Sequence, residues 1–177
     1  MQIIIIMIIT IIGLFHLIHT PLLVLFPFIV KNFTTDIFYI IYFFSIMFFY
    51  TFLDGECPIS YICKVMMDEK YIAGSDVAYY PEMECVLPNK KIIDYYFGTM
   101  TILYITTLFF VIFRINIFSY VFVFVFTLLL NYFLFVRNYF SIKKQFYFPL
   151  LQEITKYTLF LTMCFLLNLS HFKSSRV

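Results

Sequence analysis

Long hydrophobic runs, separated by short polar connections, make up most of the chain. The first run carries no charge from Ile3 to Val30, and a helix of that length can cross a hydrocarbon core of about 30 Å. Comparable runs follow it. We therefore predict an all-α integral membrane protein of one domain, residues 1–177, with about five transmembrane helices over residues 3–30, 37–53, 95–113, 117–136 and 148–169.

The last hydrophobic run is interrupted by polar residues in its first half. Gln152, Glu153 and Lys156 precede an uninterrupted part, residues 157–169, that is too short to span a bilayer alone. The run either crosses the membrane with Glu153 and Lys156 paired near one interface, or enters it as a re-entrant helix. We favour the crossing; the re-entrant alternative leaves four spans.

The segment 54–94 is the long polar stretch of the chain, and it holds three of the four cysteines and eight of the ten acidic residues. Pro58 suits the first turn of a helix. Lys64 and Asp68 are spaced for an ion pair on one face of that helix. Apolar residues at helical spacing form the opposite face: Ile59, Ile62, Cys63 and Met66. These features predict a short amphipathic surface helix over about residues 58–71.

The composition excludes a soluble domain. Hydrophobic residues make up 63% of the chain and charged residues 12%, whereas soluble domains carry about 25% charged residues. A net charge of +2 is too small to indicate a nucleic-acid partner. The expected partners are the lipid bilayer and, through residues 54–94, a protein partner or a second copy of the chain.

Basic residues are more numerous on one side of the predicted topology. The side with residues 54–94 and the connector 137–144 carries seven Lys and Arg, and the other side carries four. Positive charge favours the cytoplasmic face. We therefore expect the N-terminus and residues 54–94 to lie in the cytoplasm and the C-terminus outside.

A turn after the second predicted span is the main candidate functional element. It places two acids and a cysteine beside the N-terminus of the predicted surface helix, a position that favours anions. Its residues are Asp54, Gly55, Glu56, Cys57, Pro58 and Ser60. Carboxylates there could act as general acids or bases. The sequence contains no recognised metal, phosphate-binding or catalytic motif, so we expect no metal and no cofactor.

The cysteines of the polar segment, Cys57, Cys63 and Cys85, have spacings that match neither a zinc ribbon nor a redox motif. In a reducing cytoplasm they would be thiols, with Cys63 packed on the apolar face of its helix. In an oxidising lumen, Cys57 or Cys63 could form a disulfide with Cys85. A metal-binding or catalytic role is the third alternative.

Four ionisable residues lie within predicted spans: His16, His19, Glu153 and Lys156. Such groups are costly in a bilayer and often functional. The two histidines share one helical face, which suits hydrogen bonds within the bundle or a functional pair. Glu153 and Lys156 suit an ion pair near an interface or charges in a transport pathway.

The string DGECPISYICKVMMDEKYIAGSD, from Asp54 to Asp76, resembles a segment of small multi-pass membrane proteins of unknown function. Versions of it are similar to proteins of large nucleocytoplasmic DNA viruses, and a shorter bacterial family carries a similar Cys-Pro-Leu-Thr. The likeness covers the first ninety residues at most, through His16 or His19, Gly55, Glu56, Cys57, Pro58, Ser60, Tyr71 and Gly74. It implies a multi-pass architecture and a viral origin, and no particular activity.

Three functional hypotheses follow from the sequence. The first is a non-enzymatic multi-pass protein of a viral or host membrane that acts through contacts of residues 54–94. The second is a small membrane-bound thiol- or carboxylate-dependent enzyme that uses Glu56, Cys57 and Cys85. The third is a channel or transporter subunit with Glu153 and Lys156 in its path. The sequence alone favours the first.

Overall fold

The computed structural model describes residues 2–87, 89–115, 119–137 and 147–174. Those residues form helices joined by turns, with no strand among them, which confirms the all-α prediction. In chain order the helices are α1 (Gln2–Ile29), α2 (Phe33–Phe52), α3 (Pro58–Met67), α4 (Pro81–Glu84), α5 (Lys90–Ile115), α6 (Ser119–Arg137) and α7 (Phe148–Ser174). Most of the predicted basic connector, residues 138–144, lies outside the described residues.

Four of the described helices, α1, α2, α5 and α7, are long and apolar enough to cross a membrane. Helix α6 contributes a shorter apolar stretch, Val121–Phe133. The multi-span helical architecture is therefore confirmed. The last hydrophobic run is one continuous helix whose apolar part, Phe148–Asn168, is long enough to cross, and the short apolar stretch belongs to α6 instead.

Two spans begin earlier than the hydrophobic pattern predicts, because asparagine side chains cap them. Helix α2 begins at Phe33 rather than Ile37, since Asn32 Oδ1 accepts a hydrogen bond from Thr35 N at 2.8 Å. Helix α5 begins at Lys90 rather than residue 95, since Asn89 Oδ1 accepts from Lys91 N at 3.0 Å. Such bonds satisfy backbone N–H groups that a helix leaves open at its start.

The predicted surface helix is shorter than expected. Helix α3 ends at Met67 rather than residue 71, because the Asp68 backbone is extended and its carboxylate accepts from Lys70 N at 3.0 Å. The predicted ion pair of Lys64 with Asp68 is wrong. The Lys64 side chain is buried and pairs with Glu56 instead.

The chain forms two compact units. Unit 1 comprises Met1–Val30 and Glu56–Phe110, and so contains α1, α3, α4 and most of α5. Unit 2 comprises Lys31–Gly55 and Val111–Val177, and so contains α2, α6, α7 and the end of α5.

In unit 1, α1 and α5 run parallel. The Tyr96 hydroxyl donates to the backbone oxygen of Leu17 at 2.7 Å, and farther along both helices the rings of Phe28 and Phe110 stack at 5.1 Å. The partner numbers rise together, so both helices begin on the same side of the membrane. This agrees with the predicted order of spans; which side is cytoplasmic stays a prediction.

In unit 2, α2 and α7 run antiparallel. Ser45 Oγ contacts Met163 Sδ at 3.3 Å, and Gln152 Nε2 donates to the backbone oxygen of Thr51 at 2.7 Å and to Asp54 Oδ1 at 2.9 Å. The side chain of Gln152, a polar residue in the last span, thus donates hydrogen bonds to two acceptors at the C-terminal end of α2.

The far end of α2 in unit 2 carries a second polar contact. Asp36, in the first turn of α2, is buried and receives two hydrogen bonds from the Arg114 guanidinium. A bidentate arginine–carboxylate pair is the strong form of this interaction. It neutralises the one acid of that span.

Candidate thiol site

Helices α1 and α4 touch because residue 13 has no side chain. A Cβ built on Gly13 would overlap the backbone carbonyl of Glu82 and lie 2.9 Å from Val86 Cγ2. Small residues permit such backbone contact between helices. The contact brings the side chain of Glu82 to the level of His16, one turn farther along α1.

Glu82 is the centre of a buried polar cluster in unit 1. Its side chain is 0% exposed, and Oε1 accepts hydrogen bonds from His16 Nδ1 at 3.1 Å and from Ser60 Oγ at 2.6 Å. The ring of Phe97 covers His16 with a centroid distance of 5.3 Å. Three helices, α1, α3 and α4, therefore each supply a polar side chain to one site.

Cys57 joins this cluster from the residue that precedes α3. Its side chain is buried and lies close enough to the His16 ring to interact with it electrostatically. Because Nδ1 of His16 is engaged by Glu82, Nε2 is the ring nitrogen left for proton transfer. We refer to Cys57, His16 and Glu82 as the thiol site. A thiol, an imidazole and a carboxylate in this order suit nucleophilic chemistry.

The start of α3 adds hydrogen-bond donors beside the thiol. Cys57 is the N-cap residue, makes no side-chain capping bond, and is followed by Pro58, which has no N–H. The first N–H groups of the ten-residue helix are those of Ile59 and Ser60. An uncapped helix N-terminus favours a thiolate and can donate to a developing oxyanion.

One oxygen of the site is available for a further donor. Glu82 Oε2 is buried and has no hydrogen-bond partner among the described residues. A buried acceptor without a donor costs about 1–3 kcal/mol. Water or a polar group of a bound molecule would relieve that cost.

A second buried cluster in unit 1, which we call the Glu56 clamp, consists of Glu56, Lys64, Tyr71, Gly74 and Asp76. Glu56 Oε1 pairs with Lys64 Nζ and accepts from Tyr71 OH at 2.8 Å, and Oε2 accepts from Gly74 N at 3.0 Å. Lys64 Nζ also donates to the backbone oxygen of Asp76 at 2.5 Å. The carboxylate is thus fully engaged in holding the chain after α3, where Gly74 adopts a positive φ of 76°.

The other cysteines of the polar segment lie in different surroundings. Cys63 is fully buried, and burial, with a smaller contribution from Glu82, raises the pKa of its thiol to about 12. Cys85 follows α4 and is exposed. The four cysteines, all of them described, form no disulfide. Cys63 is therefore an inert thiol at neutral pH, as its predicted packing on the apolar face implies.

The remaining candidate residues lie outside the thiol site. His19 stacks on Phe15 at 5.0 Å instead of joining His16. Asp54, with a φ of 53°, and Gly55, with a φ of 88°, form the turn that ends α2. Glu153 and Lys156 form an ion pair of 2.9 Å in which the Glu153 side chain is 53% exposed.

Sequence reasoning did not single out Glu82. It was one of eight acids in the polar segment, and nothing in its spacing links it to His16 or Cys57. Two signals could have drawn attention to it: Pro81 begins a helix there, and Gly13 is the single glycine of the first span. Within the described part of the chain, no group of three or more His, Cys, Asp or Glu could hold a metal ion.

No protein-family model, curated protein or solved structure matches the chain. The likeness of residues 54–76 to viral membrane proteins therefore stays a prediction from the sequence.

Proposed function

We propose that this multi-pass membrane protein is a thiol-dependent enzyme in which Cys57 is the nucleophile. His16 is its general base, and Glu82 positions the imidazole. The observation that carries the proposal is the buried hydrogen bond between His16 and Glu82, with the buried Cys57 side chain beside the His16 ring. This is the second of the three hypotheses, with Glu82 in place of Glu56 and Cys85.

The chemistry follows from the order of the groups. His16 Nε2 takes the proton of Cys57 Sγ, and the resulting thiolate attacks an electrophilic carbon. The hydrogen bond from Nδ1 to Glu82 fixes the ring and stabilises the imidazolium. The N–H groups of Ile59 and Ser60 can donate to the oxyanion that forms on an acyl carbon.

A purely structural role accounts poorly for Cys57. A residue that stabilises a helix start through its side chain accepts a hydrogen bond from the second or third N–H, and Ser, Thr, Asp and Asn are preferred there. Cys57 makes no such bond. Its side chain lies beside the His16 ring instead, which supports a chemical role.

Alkylation of the full chain in liposomes by iodoacetamide at pH 7 tests the proposal, in a Cys85→Ser background. We expect Cys57, which keeps 5% of its surface exposed, to react while the fully buried Cys63 does not. His16→Gln should slow the reaction by up to about 30-fold, because a thiol with an ordinary pKa of about 8.5 is only about 3% ionised at pH 7. His19→Gln is the matched control and should leave the rate unchanged. Equal rates in the two histidine variants would contradict the proposal.

The role of Glu82 has to be tested by a measurement that a purely structural role would leave unchanged. Glu82→Gln should slow the reaction of Cys57 and steepen its pH dependence, and Glu82→Asp should restore part of the rate. Cys63, which is fully buried, should stay protected from the reagent in both variants, which reports that unit 1 is folded. If the alkylation rate of Cys57 falls only in those Glu82 variants in which Cys63 also becomes labelled, Glu82 has a structural role alone.

A non-enzymatic membrane protein that binds a partner through its polar segment is the second candidate. The Glu56 clamp favours it, because it holds residues 56–76 in a defined structure that leaves Ile72 75% exposed. The same alkylation experiment separates the two candidates. A protein that acts only by binding a partner requires no enhanced reactivity of Cys57 towards iodoacetamide.

A further inference from the structure

We propose that the outer face of α3 contacts the acyl chains of the surrounding bilayer, so that this helix lies inside the hydrocarbon layer beside α1. The hydrophobic pattern predicts instead a helix on the membrane surface, within the polar segment 54–94. The proposal does not depend on the thiol function of Cys57.

Helix α3 is polar on its inner side and apolar on its outer side. Its buried residues are Ser60, Cys63 and Lys64, whereas Ile62 and Met67 are 54% and 56% exposed. A helix that packs on a protein in water has the opposite arrangement, with its charged residues outward. In a membrane, ionisable side chains face the protein interior and are paired, as Lys64 is with a buried carboxylate. The arrangement of α3 therefore matches a helix whose outer side faces lipid.

The position of α3 along α1 gives its depth. Residues of both helices line one apolar cleft: Ile11, Ile12, Phe15, Ile59 and Ile62. The candidate span of α1 ends at Ile29, and a hydrocarbon core of about 30 Å corresponds to about 20 residues of helix. Counted back from Ile29, the near boundary of the core falls at about residue 9. The α1 wall of the cleft then lies about 3–9 Å inside the hydrocarbon.

The start of α5 supports this boundary independently. The rings of His16 and Phe97 lie 5.3 Å apart and those of Phe28 and Phe110 lie 5.1 Å apart. Each residue of α5 is therefore level with the α1 residue about 81 positions earlier. The two lysines that begin α5, residues 90–91, are thus level with the boundary counted along α1. Lysines at the end of a span belong at the headgroups.

The lipid-facing surface of α1 continues onto α3. Ile11 and Phe15 belong to a candidate membrane span and are 63% and 58% exposed, so they face acyl chains in a bilayer. Ile62 lines the same cleft from α3 and is also exposed. Acyl chains that contact the α1 wall of the cleft therefore contact its α3 wall as well.

Charged residues limit how deep α3 can lie. The exposed residues Asp68–Lys70 directly follow the helix. Six residues separate Ile62 from Asp68, and the corresponding helical rise of about 9 Å suffices to bring these charges to the headgroups. A deeper position would carry the exposed carboxylates of Glu84 and Asp94 towards the centre of the bilayer, which is costly.

Single tryptophans test the proposal, because the chain contains none. The variants Ile62→Trp, Ile18→Trp and Lys70→Trp are placed, as full chains, in liposomes of phosphatidylcholine with brominated acyl chains. Bromine quenches tryptophan on contact in the hydrocarbon, and acrylamide quenches it from water. We expect Ile62→Trp to lose the same fraction of its emission to bromine as Ile18→Trp, whose site on α1 is 58% exposed. Lys70→Trp is the control for water and should respond to acrylamide alone.

Two results would overturn the proposal. Quenching of Ile62→Trp by acrylamide and not by bromine would place α3 in water. Quenching by neither would show that protein, such as a second copy of the chain, covers this face. Protection of the fully buried Cys63 from alkylation reports that each variant is folded. If Ile62→Trp fails that check, Ile59→Trp gives the same reading, since Ile59 lines the same wall of the cleft.

Discussion

Replacing Gly13 by alanine should detach α4 from α1 and disable the thiol site. A Cβ at this position would overlap the backbone carbonyl of Glu82, and no side-chain rotation can relieve an overlap between two such fixed atoms. Gly98 is the matched control. It also lies within a helix of unit 1, α5, and a Cβ there meets nothing within 4 Å.

The two substitutions should differ in their effect on the free energy of unfolding, and only Gly13→Ala should lower it. Alanine is favoured over glycine within a helix by about 1 kcal/mol, so Gly98→Ala should be neutral or stabilising by up to that amount. At Gly13 the overlap costs about 1–3 kcal/mol, and displacement of Glu82 also weakens its hydrogen bonds to His16 and Ser60. We expect a net destabilisation of about 2–4 kcal/mol for Gly13→Ala.

Thermal unfolding in detergent, followed by labelling of Cys63, measures this difference. Cys63 is fully buried in unit 1, so its thiol becomes reactive when the contacts of α3 and α4 open. Gly13→Ala should expose Cys63 at a lower temperature than the wild type, and Gly98→Ala should not. If the two variants protect Cys63 equally well, the close contact between α1 and α4 does not hold the site together.

Three further predictions concern groups outside the thiol site. Lys64→Met should destabilise the fold by about 3–5 kcal/mol in chemical unfolding, because it leaves the buried carboxylate of Glu56 unpaired, and adding Glu56→Gln should recover part of that loss. Stability should fall as pH rises from about 9 towards 12: burial raises the pKa of Cys63 to about 12 in the folded protein from 9, so the unfolded chain releases its proton first. Cys63→Ala should make that fall shallower; an unchanged slope would contradict the assignment. Gln152→Leu should cost about 1–3 kcal/mol, since it removes the donor to Asp54 and to the end of α2, whereas a neutral effect in the same unfolding assay would show that those bonds are dispensable.

The membrane architecture could be predicted from the sequence because the bilayer penalises charge. Long uncharged runs identify the spans, and the polar residues that interrupt them have to be paired. Glu153 with Lys156 illustrates a pair that sequence spacing reveals, since both partners lie on one helix. Arg114 with Asp36 illustrates one that spacing cannot reveal, since its partners come together only in the folded unit.

The observed helix ends differ from the predicted ones because of local interactions. Asn32 and Asn89 extend α2 and α5 through side-chain bonds to backbone N–H groups, and Asp68 ends α3 by adopting an extended backbone. Each of these helix ends depends on a single residue, and the pattern of hydrophobic and polar positions does not reveal such an effect. Hydropathy therefore located the helices more accurately than it located their ends.

Only some residues of the candidate site could be predicted from the sequence. His16 and Cys57 attract attention by their positions, one within a span and the other before a proline. Glu56 looked like the acid that accompanies the thiol because it is adjacent, but the Glu56 clamp uses both of its oxygens. Glu82, distant in sequence, reaches His16 because Gly13 lets two backbones touch, and that contact depends on the tertiary structure.

The pH dependence of the alkylation rate at Cys57 tests the central claim most directly. If His16 and the start of α3 activate the thiol, the rate at pH 7 should already be close to its alkaline plateau, and His16→Gln should remove this behaviour. A rate that rises about tenfold per pH unit up to about pH 8.5, as for an ordinary thiol, would contradict an activated Cys57.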